Sequence, residues 1–203
     1  LGIEVRNYCK EHPGCAVVNL GCGLDCTAEN NAGEGCKIYN IDRPDVIAVR
    51  NELIPPAENV TNIGADLNDT AWFDAIDDSR GVVFFAAGVF YYFLSSDIQK
   101  LFTAMAERFK GGRLSFDAAN KKAVKLMLKT WVKAAGITDI DRYFYINNLD
   151  TDLKAWLPGT EISAKGYMLG YHDLKTPSVS GLFRFLAKVG DGYMQMRIVR
   201  INF

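Results

Sequence analysis

AVVNLGCGLDCTAENNAGEGCKIYNID, residues 16–42, is the stretch around which the chain arranges itself. Residues 16–20 are an apolar run rich in β-branched side chains that meets Gly21 and Gly23 at once, so it reads as a buried strand entering a tight glycine turn. A second run, 37–41, closes on Asp42, and the intervening residues 24–35 have the length of one short helix. Strand, glycine loop, helix, strand and acid together make the first half of a doubly wound nucleotide site.

The residue types in that unit point to a ligand. Glycines at 21 and 23 let the backbone turn sharply and bring peptide N–H groups close to a bound molecule with no side chain between. Asp42 follows Gly23 by roughly 20 residues, the spacing at which an acid accepts ribose hydroxyls. A dinucleotide fingerprint G-x-G-x-x-G would place its third glycine at position 26, where this chain has Cys26, and Asp25 sets a negative charge where a pyrophosphate would lie. A phosphate-free ligand carrying a sulfonium and an ammonium suits that acid better. The unit therefore predicts S-adenosylmethionine rather than a nicotinamide dinucleotide, with Asn19, Gly21, Cys22, Gly23 and Asp25 in the loop that meets it and Asp42 with Arg43 on the ribose side.

At 203 residues and 22.5 kDa the chain reads as a single domain, 1–203, large enough for a core without staples. A net charge of −1 and a pI near 6.2 give no basic surplus for a nucleic-acid backbone or an anionic membrane. The longest apolar run, 81–94, is 14 residues with two glycines, short of the ~20 that span a bilayer. No charged leader precedes an apolar block at the start, so no signal peptide is visible; the first residue, Leu1, is that of a processed chain or of a piece of a longer one. Five cysteines, at 9, 15, 22, 26 and 36, make an odd number without an export signal, which predicts reduced thiols and a cytoplasmic protein. Cys15, Cys22, Cys26 and Cys36 can be counted as four metal ligands, but no C-x-x-C pair is present, and cysteines flanking buried strands behave as small apolar residues. No metal is expected.

Outward from the nucleotide unit, residues 1–12 form a helix stopped by Pro13-Gly14, with His12 at its solvent end. Arg43-Pro44 breaks the chain, and Asp45 caps a helix over 46–53 closed by Pro55-Pro56. A third strand, 59–65, ends at Asp66-Leu67, where an acid meets a purine amino group; the alternative is that Asp66 caps a helix over 70–76. Residues 82–87 are the most hydrophobic strand and so a central one. Ser95-Ser96-Asp97 starts a helix over 98–109, and 113–117 is a fifth strand. Residues 121–135 are amphipathic, with Val124, Leu128, Trp131 and Val132 on one face. An irregular aromatic stretch, 139–150, and a short helix, 152–156, precede a sixth strand over 160–169. A loop at Tyr171-His172-Asp173, a helix over 179–187 and a terminal strand in MQMRIVRINF complete an α/β chain; the last two strands are joined by a hairpin or by a helix-bearing connection.

NLGCGLD at 19–25, YNIDRPDVIAVRNELIP at 39–55, GADLND at 64–69, FFAAGVFYYFL at 84–94 and the terminal RIVRINF together resemble the leucine carboxyl methyltransferase family. Within it they look most like the bacterial O-methyltransferases linked to polyketide biosynthesis. The resemblance covers residues 16–118 and the last strand. It implies a Rossmann-like class I methyltransferase sheet of seven strands, mostly parallel with the last antiparallel, and S-adenosylmethionine as cofactor. Gly21 and Gly23 match the loop against its methionine part, Asp42 the ribose acid, Asp66 with Leu67 the adenine contact, and Ala87 with Gly88 the loop beside the sulfonium. Many members have an acid where this chain has Ala87. Members also usually carry a longer N-terminal helical region whose arginine clamps the cofactor carboxylate. Only about fifteen residues precede the first strand here, so either that clamp is replaced or a segment is missing.

The expected reaction is methyl transfer to an oxygen of a small-molecule acceptor, polyketide-like or a carboxylate. His172 is the candidate base, against the alternative of a loop histidine with no such duty, and Tyr91 and Tyr92 are candidate walls of the acceptor pocket, against the alternative of packing. The competing readings are a protein carboxyl methyltransferase and a non-catalytic S-adenosylmethionine binder. The acceptor and the oligomeric state are left open.

Overall fold

A computed structural model describes residues 1–127 and 143–203. Seven strands, β1 (Ala16–Leu20), β2 (Lys37–Asp42), β3 (Val60–Gly64), β4 (Val82–Ala86), β5 (Arg113–Ala118), β6 (Glu161–Gly166) and β7 (Arg197–Asn202), form one sheet in the order β3-β2-β1-β4-β5-β7-β6. β1 to β5 pair in parallel, with Val17 aligned between Ile38 and Val83, and β7 runs antiparallel to both β5 and β6. The order reverses between β1 and β4, as the doubly wound reading requires.

β1 and β4 are buried at every position, because helices cover both faces and period-2 alternation then has no solvent side. Val17, Val83 and Phe85 point to the face covered by α1 (Gly2–Glu11), where they meet Val5, Tyr8 and Cys9. Val18, Leu20, Phe84 and Ala86 point to the face covered by α4 (Ser95–Arg108), which buries Ile98, Leu101, Phe102 and Met105 at helical i, i+3, i+4, i+7 spacing. Phe90, Phe102, Phe116 and Phe144 close that face with edge-on and tilted ring contacts. Glu4, buried on α1, accepts a hydrogen bond from the Tyr171 hydroxyl at 2.6 Å and faces Arg200 of β7, so the segment after β6 is tied to the first helix.

The structure departs from the sequence reading at several element ends. The helix expected over 24–35 is only α2 (Thr27–Asn31), since residues 30 and 31 are asparagines and two glycines follow. Arg43-Pro44 does not break the chain: Pro44 is the first residue of α3 (Pro44–Leu53), the one helical turn that needs no proline N–H, and Asp45 pairs with Arg43 instead of capping. Residues 70–75 form a 3-10 turn capped by Asp69, whose carboxylate accepts from the Ala71 N–H, so Asp66 is not its cap. The Ser95 hydroxyl donates to the Tyr143 carbonyl rather than capping α4. β6 and β7 are neighbours although α6 (Gly181–Lys188) lies in their connection. The amphipathic segment is α5 (Lys121–Met127) as far as Met127; Leu128, Trp131 and Val132 lie outside the described residues. No helix among the described residues is long and apolar enough to cross a membrane.

Candidate functional site

The parallel strands end along one edge of the sheet, and the loops that follow them open there. After β1 the chain reverses through Gly21 (φ +66°) and Gly23 (φ +48°), a left-handed backbone that side chains disfavour. The N–H groups of Gly21 and Cys22 both donate to the Ile41 carbonyl, at 2.8 and 3.1 Å, fastening the turn to the end of β2. Asp42 then accepts the Gly23 N–H on one carboxylate oxygen at 2.7 Å and the Arg43 N–H on the other at 2.8 Å. Each oxygen keeps a further lone pair for a ligand hydroxyl.

These residues border a cavity of about 650 Å³, in the range of small-molecule sites. Gly21, Asp42, Arg43 and Pro44 form one side; Ala65, Asp66, Leu67 and Asn68 a second; Val89, Tyr92, Phe93, Leu94, Asp97 and Tyr143 a third. The second side carries an acid beside a buried leucine, a polar edge next to an apolar face. The third comes from the 3-10 turn Phe90–Tyr92 and from Tyr143, which bridges Leu94.

Several sequence-proposed residues stand behind the cavity rather than on it. Asn19 donates to Asp25 at 3.2 Å and the Thr27 hydroxyl donates to the other Asp25 oxygen at 2.7 Å, so that acid is already held at the outer lip of the glycine loop. Cys22 is buried, and its thiol is pushed up to about 12, first by that burial. Ala87 and Gly88 are exposed at the end of β4. The two tyrosines divide: Tyr92 lines the cavity, half exposed, whereas Tyr91 is buried against Ala119, Ala123 and Val124.

His172 stands apart. It opens onto a second cleft, of about 630 Å³, bordered by 169–175 with Arg184 and Lys188, which among the described residues shares none with the glycine-loop cavity. Its neighbour Tyr171 is committed to Glu4, so the Tyr-His-Asp stretch is placed by the packing of α1 and β7 rather than by the glycine loop. The four cysteines counted as metal ligands do not assemble either. Cys22 sits in the glycine turn, while Cys9, Cys15 and Cys36 meet at the opposite end of the strands.

Two residues that sequence reasoning missed organise the edge. Arg50, wholly buried on α3, donates from one nitrogen to the Gly23 and Asp25 carbonyls, both at 2.9 Å, and from another to the Glu29 carboxylate at 2.7 Å. A glycine turn leaves carbonyls without strand partners, and this guanidinium collects two of them. Asp117, at the end of β5, accepts the Gly88 N–H at 2.6 Å and a hydrogen bond from the Tyr91 hydroxyl. Burial raises its pKa above the ordinary carboxylate value, partly offset by those two donors. The only sequence signal for either was position: an arginine inside a helix next to a glycine loop, and an acid at a strand's carboxyl end.

The model of the leucine carboxyl methyltransferase family matches residues 7–106. This segment, just under half of the chain, is similar to that family. It contains the glycine loop, Asp42, Arg50 and Asp66, and so four of the five parallel strands, β1 to β4, with their carboxyl ends. The tetracenomycin polyketide synthesis O-methyltransferase TcmP of Streptomyces glaucescens is 29% identical over 108 residues, 53% of this chain and 40% of the relative. The matched part thus spans about two-fifths of that curated relative's length. Among solved structures, a putative methyltransferase from Thermobifida fusca superposes with a TM-score of 0.69 at 14% identity, covering 99% of this chain and 77% of its own. An S-adenosylmethionine-dependent methyltransferase from Mesorhizobium loti does so with 0.65 at 17% identity, covering 99% and 96%. At those identities the likeness establishes the fold, a seven-stranded class I methyltransferase sheet.

Proposed function

We propose that the chain is an S-adenosylmethionine-dependent methyltransferase acting at an oxygen of a small-molecule acceptor. The observation that carries this is the Asp42 carboxylate, held by the Gly23 and Arg43 N–H groups at the border of a 650 Å³ cavity in a family segment named for methyl transfer. When bound, S-adenosylmethionine supplies a methyl group on a sulfonium, open to displacement by an oxygen nucleophile. The residues fit it. Asp42 can accept both ribose hydroxyls, Asp66 an amino group, Leu67 and Phe93 an aromatic face, and the Gly21 turn leaves room for the amino-acid end. The relative TcmP, an O-methyltransferase of polyketide synthesis, supports a small acceptor and an oxygen nucleophile. Tyr92, on the third side of the cavity, would touch such an acceptor, and positioning against the sulfonium is worth up to ~7–11 kcal/mol of the barrier. His172, facing another cleft, has no part in this reading. Free thiols at all five cysteines accord with a cytoplasmic setting.

The reading also assigns Asp117. Family members commonly carry an acid where Ala87 stands, and Asp117 brings a carboxylate to the same loop from the neighbouring strand, 2.6 Å from the Gly88 nitrogen. We expect it to face the cofactor's ammonium, so Asp117→Asn weakens binding about tenfold, the worth of one charged hydrogen bond. Burial raises the Asp117 pKa, so in the free protein this carboxyl begins to lose its charge at a higher pH than an ordinary aspartate, and affinity falls as pH drops through that value. Binding in Asp117→Asn stays flat over the same interval.

Calorimetric titration of the full chain with S-adenosylmethionine, S-adenosylhomocysteine and NAD, beside Asp42→Ala, tests the whole proposal. Binding of the first two, weakened ~100-fold in Asp42→Ala by loss of two hydrogen bonds to a charged group, is the expected outcome. Tight NAD binding, or none of the three, removes it.

A further inference from the structure

Three of the five cysteines converge far from the cavity. Cys9 comes from α1, Cys15 from the residue before β1 and Cys36 from the residue before β2, so they meet at the amino ends of the strands, whereas the glycine loop lies at the carboxyl ends. The Cys15 sulfur is 3.8 Å from that of Cys9 and 3.9 Å from that of Cys36, and all three lie within 4.8 Å of one another. Three thiolates at about 2.3 Å around one ion stand about 4 Å apart. Two of the three separations are thus already those of a shared metal, and the third lies within 4.8 Å.

The surroundings select the kind of ion. All three residues are buried, at 6%, 0% and 1% exposure, among Val5, Val17, Ala28 and Ile38. No histidine, carboxylate or fourth cysteine joins the group among the described residues. Zinc in structural sites takes four ligands in a tetrahedron. An all-sulfur, three-ligand, apolar site suits a soft ion of low coordination number. One approach from solvent exists. Gly33 is exposed and lies directly over the group, and a side chain begun there would stand 3.4 Å from the Cys9 β-carbon and 3.7 Å from the Cys36 sulfur.

We propose that Cys9, Cys15 and Cys36 form a three-thiolate site for a soft monovalent metal ion of the Cu(I) class. Binding replaces the thiol protons, which pass to solvent, by three sulfur–metal bonds, with no change in the oxidation state of sulfur or metal. The ion ties α1 to the starts of β1 and β2, and so stabilises the face of the sheet that α1 covers.

The test uses the reduced full chain, titrated with Cu(I) in acetonitrile against a coloured Cu(I) chelator, and in parallel with Zn(II). One equivalent of Cu(I) is expected, with three sulfurs at about 2.3 Å by X-ray absorption and a Tm higher by roughly 5–10 °C at a hundredfold excess over Kd. Cys15→Ala and Cys36→Ala lose at least a hundredfold in affinity; Cys26→Ser does not change. If those alanine variants do not fold, X-ray absorption of the Cu(I)-loaded Cys26→Ser chain decides instead: three sulfurs around one copper support the site, and fewer than three overturn it. No retained equivalent, equal affinity in the alanine variants, or a four-coordinate zinc preference overturns the proposal and leaves the three sulfurs as apolar packing.

Discussion

Replacing Arg50 by alanine lowers stability by about 3 kcal/mol, the scale set by breaking a buried ion pair, and Tm by roughly 6–12 °C for a chain of this size. Arg50 has no exposed surface, whereas its partner Glu29 keeps 25% of its side chain in solvent, so the figure is at the low end for such pairs. Three losses combine. The Gly23 and Asp25 carbonyls lose their donor, the Glu29 carboxylate loses its cation while still accepting from Asn40 at 2.9 Å, and the space of a large side chain opens under the glycine loop. Arg50→Lys recovers little, because a single ammonium cannot reach two carbonyls and a carboxylate with the fork that guanidinium presents. Because Gly23 also donates to Asp42, loosening the loop disturbs the acid proposed to hold the ribose, and on that proposal S-adenosylmethionine affinity falls with stability. Thermal unfolding and titration of Arg50→Ala beside Glu29→Ala check this. A loss under 1 kcal/mol in Arg50→Ala would show that water replaces the guanidinium without cost.

Gly21→Ala is the second large effect. At φ +66° an alanine carries ~1–2 kcal/mol of left-handed strain. Its β-carbon would also sit 2.6 and 2.8 Å from the two γ-methyls of Val89. Valine is stiff about χ1 and cannot swing away, so overpacking adds ~1–3 kcal/mol. The sum is ~2–5 kcal/mol, and since both residues border the cavity the relief by displacement closes it to a ligand. The two contributions separate in a double-mutant cycle. Val89→Ala in the Gly21→Ala background recovers the steric part and leaves the backbone part, read by denaturant unfolding; a cycle with no coupling would mean that the loop moves freely. Gly23 gives a contrast, for a side chain there meets nothing within 4 Å, so Gly23→Ala carries the backbone strain alone.

Much of this protein is decided locally. An apolar run of β-branched residues has one low-energy use between two helical layers, and a G-x-G after it has one backbone. For that reason Ala16–Leu20, the turn at Gly21 and Gly23, Asp42 at the end of β2, Asp66 after β3 and the central position of Val82–Ala86 follow from residue order. Element ends were less legible, because Pro44 as a breaker and Pro44 as a helix's first residue have the same neighbours, and hydrogen bonding chooses.

What tertiary structure alone decided lies in side chains brought together from distant positions. Arg50 resembles any surface arginine of an amphipathic helix until the glycine loop is folded over it. Asp117 lies on β5 and Ala87 just past the end of β4, and only the parallel register sets the carboxylate of one beside the loop of the other. His172, in a motif of reactive residue types, is carried to a separate cleft because Tyr171 is held by Glu4. Cys9, Cys15 and Cys36 form no spaced motif, yet a helix end and two adjacent strand starts deliver them to one point. Periodicity and backbone preference act over a few residues and can be read along the chain; the meeting of charges and sulfurs depends on sheet order, which forms only when the core closes.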